Sequence, residues 1–246
     1  MNAFVSGGSR GIGRDIVLKF VRMGWGVAFT YAHNKLMADE TVKLAKEINP
    51  NVKVIAYQLD VRNSDEVDNV VDKAIEDFDH ITALVNNAAI VKDNAAALMS
   101  NEDWNDVIAT NLTGPFYLAR SFIMHFLSMK KGRIVNISSL AQYGSPGQVN
   151  YSAAKSGLIG LTQSLGKEYG AKGITSNVVT VGYVQTSMTE DHMSKHLQEF
   201  WVKHCPLKRI ASGEEIANAV FFLSSDEGRF VNCEVLNVSG GLTYIP

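Results

Sequence analysis

The sequence predicts an α/β fold: a doubly wound, seven-stranded parallel sheet with helices on both faces. Three features point there. Short β-branched and apolar runs alternate with longer amphipathic stretches, the pattern of repeated strand–helix–strand units. The runs are apolar throughout, as strands covered on both faces require. A glycine-rich turn joins the first run directly to the first amphipathic stretch.

The first strand, Ala3–Ser6, is short and enters that turn at once, and the helix Ile12–Met23 follows. Gly26–Tyr31 and Val52–Leu59 read as the next strands, with the amphipathic Leu36–Ile48 between them. Asp65–Phe78 leads into the fourth strand, Ala83–Asn86. The long helical stretch Asn101–Met129 precedes the fifth, Gly132–Ile137, and Tyr151–Gly170 precedes the sixth, Thr175–Thr180. Gly213–Ser224 is the last helix and Glu234–Val238 the last strand. No composition break, repeat or low-complexity stretch marks a linker, so residues 1–246 read as one domain. One interval departs from regular alternation. From Gln185 to Arg209 the chain carries Met188, Met193, Leu197, Phe200 and Trp201 at roughly helical spacing. It follows the sixth strand, at the end of the sheet where ligands bind. It is expected to be a lid; the alternative is a packed helical excursion with no substrate role.

Composition narrows the function classes. With 46% hydrophobic residues and a formal net charge of -2, the 246-residue chain shows no footprint of nucleic-acid binding or of adhesion to an acidic membrane. No segment approaches the roughly 18 unbroken apolar residues of a membrane span. The opening MNAFVSGGSRGIG lacks a basic region followed by a long apolar run, so no secretory signal is expected. Two cysteines, Cys205 and Cys233, imply no disulfide framework. The expected location is cytoplasmic. His192 and His196 are four apart, with His204 and Cys205 nearby, but Met193 stands where an H-E-x-x-H site needs its glutamate. No metal site is expected.

The turn reads Ser6-Gly7-Gly8-Ser9-Arg10-Gly11-Ile12-Gly13. Glycines allow the backbone to approach a pyrophosphate, and the N–H groups of the following helical turn meet the phosphate charge. This is a Rossmann-type, dinucleotide-binding arrangement. NAD calls for an acidic residue at the end of the second strand. That strand ends Phe29-Thr30-Tyr31-Ala32-His33-Asn34, without a carboxylate, and Arg10 is in reach of a 2′-phosphate. NADPH is therefore the expected cofactor. His33 and Asn34 either assist or are plain turn residues.

Tyr151 and Lys155 are four apart in a helical stretch and share one face. An ammonium near a phenol favours the phenolate and lowers its pKa from about 10, which suits proton transfer. A strand ending in Ser138-Ser139 lies a dozen residues upstream, and Asn111-Leu112-Thr113-Gly114 falls within the long helix.

Together with the G-x-x-x-G-x-G spacing of Gly7, Gly11 and Gly13, these residues resemble the short-chain dehydrogenase/reductase family over nearly the whole chain. The resemblance implies a catalytic tetrad of Asn111, serine, Tyr151 and Lys155, in which the asparagine interrupts its helix and holds a water leading to the lysine. Counting thirteen residues back from the tyrosine selects Ser138; counting along the strand selects Ser139. Ser139 is favoured, because loops absorb deletions more readily than strands. The resemblance also implies cofactor contacts from Gly7, Ser9, Arg10, Gly11, Ile12 and Gly13, from Asp60 and Val61 at the adenine, and from Asn87 and Ala88. Tyr151 and Lys155 themselves, and Gly182, Val184 and Thr186 after the sixth strand, complete that set. Ala89, Val181 and Ser239 replace the family's usual glycine, proline and aspartate.

Within the family the stretches Gly147–Leu158 and Glu214–Val220 resemble 3-oxoacyl-(acyl-carrier-protein) reductases and acetoacetyl-CoA reductases. A carrier-protein or CoA thioester is the expected partner, with Lys130, Lys131 and Lys172 as candidate docking residues. Reduction of a sugar, steroid or small ketone is the alternative, and a non-catalytic NADPH-binding sensor a further one. The resemblance also implies that the two long helices form oligomer surfaces, of a homotetramer or, as the alternative, a dimer.

Overall fold

The computed structural model describes residues 1–184 and 195–243, with backbone alone for 195–197. The strands are β1 (Asn2–Val5), β2 (Gly26–Tyr31), β3 (Val54–Gln58), β4 (Ile81–Asn86), β5 (Gly132–Ser139), β6 (Ile174–Val181) and β7 (Val235–Val238). They form a single seven-stranded sheet in the order β3-β2-β1-β4-β5-β6-β7, with every neighbouring pair parallel. The helices are α1 (Gly11–Arg22), α2 (Lys35–Ile48), α3 (Ser64–Phe78), α4 (Asn101–Ile108), α5 (Gly114–Met129), α6 (Val149–Tyr169), α7 (Lys195–His204) and α8 (Gly213–Ser224).

Two apolar cores lie on the two faces of the sheet. One joins α1, α2 and α8 through residues such as Ile16, Phe20, Ala45, Ile216 and Val220. The other joins α3 and α5 through Val67, Val71, Leu118 and Phe122. Every residue of β2 and β4 is buried, which is why these strands read as unbroken apolar runs. Helix starts follow local chemistry: Asn34, Asn63, Ser100 and Ser212 each accept a hydrogen bond from a first-turn N–H. These caps set α2 and α3 one residue ahead of the predicted starts.

Two elements differ more. β5 runs on to Ser139 because its pairing with β6 continues from Ser138–Thr180 to Ser139–Val181. The predicted Asn101–Met129 helix is two helices, α4 and α5, joined by a π turn over Ala109–Thr113. The sheet order reverses between β1 and β4, so the crevice for a ligand opens at the carboxyl ends of these strands.

Candidate active site

The glycine turn sits at that crevice. Gly7 has φ +68°, and a Cβ there would lie 2.9 Å from Ala88 Cα; at Gly13 a Cβ would lie 2.0 Å from the Gly7 carbonyl oxygen. Asn87 Nδ2 donates to the carbonyls of Ser6 (3.1 Å) and Gly7 (2.9 Å), and Thr30 Oγ1 accepts from Gly7 N–H. Arg14, which the motif reading passed over, donates to Ser9 carbonyl oxygen at 2.9 Å and pairs with Glu40 at 2.7 Å. It rivets the turn to α2. Arg10 precedes α1 in extended backbone, with no side-chain cap and no acidic residue in the first turn of the helix. The positive end of α1 is thus left for an anion, and the narrow glycine cradle fits a dinucleotide pyrophosphate.

Beside the cradle, α6 presents Tyr151 and Lys155 on one face. The Lys155 ammonium lies 5.4 Å from the centroid of the Tyr151 ring, and its Nζ donates to the Ile137 carbonyl at 2.7 Å. Lys155 is 3% exposed; the Tyr151 ring is half-buried while its hydroxyl end is enclosed. Ser139, at the end of β5, places its hydroxyl in hydrogen-bonding reach of the Tyr151 phenol. Ser138 does not: its Oγ donates to Gln142 Oε1 at 2.8 Å, and it is 1% exposed. Neighbouring residues of a strand leave opposite faces, so only one serine can meet the tyrosine. Burial pushes the Tyr151 phenol up to about 12, an effect the Ser139 hydrogen bond offsets in part, while burial pushes Lys155 down to about 8. The expected downward pull of the ammonium on the phenol is not what sets its direction in the chain alone: burial raises it.

Asn111 lies in the π turn, buried, with Oδ1 accepting from Ile90 N–H and Nδ2 donating to Ile90 carbonyl, both at 2.9 Å. Its side chain fastens the segment after β4, and the backbone break in the helix is where the motif placed it.

A protein family described as Enoyl-(Acyl carrier protein) reductase matches residues 7–243. The 3-oxoacyl-(acyl-carrier-protein) reductase FabG of Staphylococcus epidermidis is 38% identical over 242 residues, 98% of each chain. A Synechocystis 3-oxoacyl-(acyl-carrier-protein) reductase is 39% identical, over 98% of this chain and 96% of its own.

The chain belongs to the short-chain dehydrogenase/reductase family. It is an oxidoreductase that uses a nicotinamide cofactor. Among solved structures, levodione reductase superposes with a TM-score of 0.94 at 28% identity, covering 98% of this chain and 96% of that one. A putative short-chain alcohol dehydrogenase from Sinorhizobium meliloti gives 0.92 at 30%, covering 98% and 95%.

The remaining family positions divide. Val61 is buried and packs on Gly114. Asp60 is ion-paired with Arg62 at 2.7 Å, which in turn reaches Asp106 at 3.0 Å; the Arg62 hydrogen bond holds the Asp60 carboxyl below its ordinary value. Ser9 and Ala88 line the turn, Ala88 N–H donating to Ser6 Oγ at 3.1 Å. Gly182 packs against Ser239, where a Cβ would lie 2.8 Å from its Cα. Val184 is 3% exposed, its side chain in the core and its backbone bridged to Ala211, so any contact it makes with a cofactor is through the main chain. Asn34 is spent capping α2. Thr186, Met188, Met193 and His192 lie outside the described residues, as do the side chains of His196 and Leu197. His204 Nδ1 is hydrogen-bonded to the Phe200 carbonyl, and Cys205 Sγ to that of Gly240.

Of the candidate docking residues, Lys131 is paired with Asp226 at 2.7 Å, while Lys130 and Lys172 are exposed. All three precede the amino ends of β5 and β6, at the opposite end of the sheet from Ser139. Sequence reasoning also missed Asn150. Buried beside Tyr151, it accepts from the Tyr151 N–H at 2.7 Å and donates to the Lys92 carbonyl at 3.0 Å. No motif marks it; only its adjacency to the tyrosine was visible. No helix among the described residues is long and apolar enough to cross a membrane.

Proposed function

We propose that this chain uses NADPH to reduce the keto group of a 3-oxoacyl thioester, carried on acyl-carrier protein or CoA, to the 3-hydroxy form. The observation that carries the reading is the Ser139–Tyr151 pair with Lys155 beneath it, beside the glycine cradle. With the Ser139 hydroxyl in reach of the Tyr151 phenol, one carbonyl oxygen placed between them accepts from both. NADPH supplies the hydride. Ser139 holds the carbonyl oxygen as charge develops, and Tyr151 delivers a proton to it. A phenol kept neutral near pH 7 by burial is in the protonation state that a reduction needs. Lys155 would bind the ribose hydroxyls of the cofactor, and its ammonium lies near the Tyr151 ring. Asn111 and Asn150 hold the segment after β4 against α4 and α6.

The family description names enoyl reduction, whereas the curated relatives named above reduce 3-oxoacyl groups. A paired serine and tyrosine serve a carbonyl oxygen more directly than a carbon–carbon double bond, which supports the second. NADPH is supported by the missing carboxylate after Tyr31 and by the exposed Arg10, which has no partner among the described residues. Val184 is assigned to the nicotinamide end through its main chain, in one domain comprising the whole chain; Thr186 and the first ten residues of the expected lid lie outside the described residues. Lys130 and Lys172 stand roughly 23 Å along the sheet from Ser139 at about 3.3 Å per residue. Within one chain they do not reach the site, so docking there requires an assembly that brings them beside a neighbouring copy's Tyr151.

The test is loss of NADPH absorbance with acetoacetyl-CoA and, separately, with simple ketones. Turnover on the thioester supports the proposal; turnover on simple ketones alone, or on neither, overturns the thioester as substrate. Tyr151→Phe should bind NADPH normally and lose about 100-fold or more in kcat. Rates near the unmodified enzyme's would remove the proton-donor role.

A further inference from the structure

Ser138 is occupied on the face of β5 away from the substrate side. Its Oγ lies 2.8 Å from Gln142 Oε1 and 3.2 Å from the main-chain carbonyl oxygen of Lys155. Thr180 Oγ1, on the neighbouring β6, lies 3.2 Å from the same Gln142 Oε1. Ser156 Oγ donates to the main-chain carbonyl of Gln142. Gln142 is 6% exposed, and its Nε2 has no hydrogen-bond partner among the described residues. The Gln142 amide thus links β5 to β6 in a space that excludes solvent, and α6 joins through the Ser138–Lys155 contact and the Gln142 main-chain carbonyl. With the amide turned over, two N–H donors would meet the same two hydroxyls and free the Ser138 proton for the Lys155 carbonyl. Either orientation ties the same groups.

These groups adjoin the chemistry in each element. Ser138 adjoins Ser139, the Lys155 carbonyl belongs to the residue beneath Tyr151, and Thr180 leads through Val181 to Gly182. A buried side chain held by hydrogen bonds from two strands is restricted in position, and a small change in spacing at a reacting pair is costly in rate. We propose that Gln142 is a positioning residue: its buried side chain joins Ser138 and Thr180 under Lys155 and so sets the distance between the Ser139 hydroxyl and the Tyr151 phenol. The inference rests on the proposed function only where turnover is the readout.

The experiment starts with Gln142→Met, which keeps the volume and removes both polar ends. With NADPH and acetoacetyl-CoA, kcat should fall about tenfold or more while KM changes less than about twofold, and NADPH affinity should hold. The Tyr151 titration, read as the absorbance difference between each protein and its Tyr151→Phe counterpart, should move upward as the Ser139 hydroxyl drifts from the phenol. Lys155 and Asp93 are the charged groups facing that phenol, and neither is altered. Thr180→Val breaks the same link with a near-isosteric change and should move the titration the same way, even if Gln142→Met folds poorly. Ser138→Ala should mimic Gln142→Met, and the double variant should lose no more than the worse single one, as expected of one unit. An unmoved Tyr151 titration, or unimpaired kcat in Gln142→Met, overturns the inference. An unmodified protein that turns over no 3-oxoacyl thioester overturns the proposed function instead, and the titration still decides the role of Gln142.

Discussion

Tyr151 and Lys155 resist charge for the same reason: each is enclosed, and burial penalises the ionised form of both. For Lys155 the sign follows directly. Its folded pKa of about 8 lies below the ordinary 10.5, so between these values the unfolded chain holds a proton that the folded chain has released. Stability should therefore rise with pH across that window. Tyr151, pushed up to about 12, works the other way only above pH 10. Comparison of urea midpoints for the unmodified protein and Lys155→Met at pH 7 and pH 10 should show the unmodified protein gaining about 2 kcal/mol relative to the variant. An equal pH response in both would show that Lys155 is not desolvated. At the other end of the cofactor, Arg10→Ala should weaken NADPH by roughly 10- to 100-fold, the loss of a charge-assisted hydrogen bond. NADH should change little, and parallel losses for the two would remove Arg10 from the 2′-phosphate. Arg14 was invisible as a functional residue because two of its partners, Glu40 and Thr41, are brought to it and to the Ser9 carbonyl only by the packing of α2 on α1.

At the scale of the element, the turn between β1 and α1 is the least tolerant piece. A methyl group on Gly13 would meet backbone, the Gly7 carbonyl oxygen, and Asn87 Nδ2 at 2.5 Å. Gly13→Ala should therefore lower NADPH affinity by about tenfold or more and reduce stability by about 1–3 kcal/mol, read by fluorescence titration and thermal melting. Unchanged binding would mean that the turn relaxes without cost. The split of Asn101–Met129 into α4 and α5 was only half legible. Amphipathic spacing persists across a π turn, so the periodicity reads through it, while the Asn-x-x-Gly motif marked the break at Asn111. The strand ends were less legible than their middles. How far β5 runs depends on its pairing with β6, which no local pattern encodes.

For the whole molecule, the exposed faces of the long helices bear on assembly. Phe116 is 42% and Met124 73% exposed on α5, and α6 shows Ala153, Ser156 and Gly160 to solvent. Small residues beside exposed apolar ones allow two helices to approach closely. The expected homotetramer should sediment at about four times 26.9 kDa. A side chain at Gly160 meets nothing within 4 Å in the single chain, so Gly160→Trp should fold normally yet sediment as a smaller species. A tetramer that survives this change would place the interface elsewhere.

Local patterns were enough to determine the fold class, the order of strands and helices, the glycine cradle and the shared face of Tyr151 and Lys155. Periodicity and short motif spacing are written in neighbouring residues and survive without knowledge of what packs where. The sequence favoured Ser139 over Ser138; only the tertiary structure showed that Ser138 is taken up by Gln142, that Asp60 is held by Arg62 and Lys131 by Asp226, and that burial raises the Tyr151 phenol. Those outcomes depend on which distant segments approach and on how far water is excluded between them. Hydrogen bonding and burial act across such contacts and leave no trace in spacing along the chain.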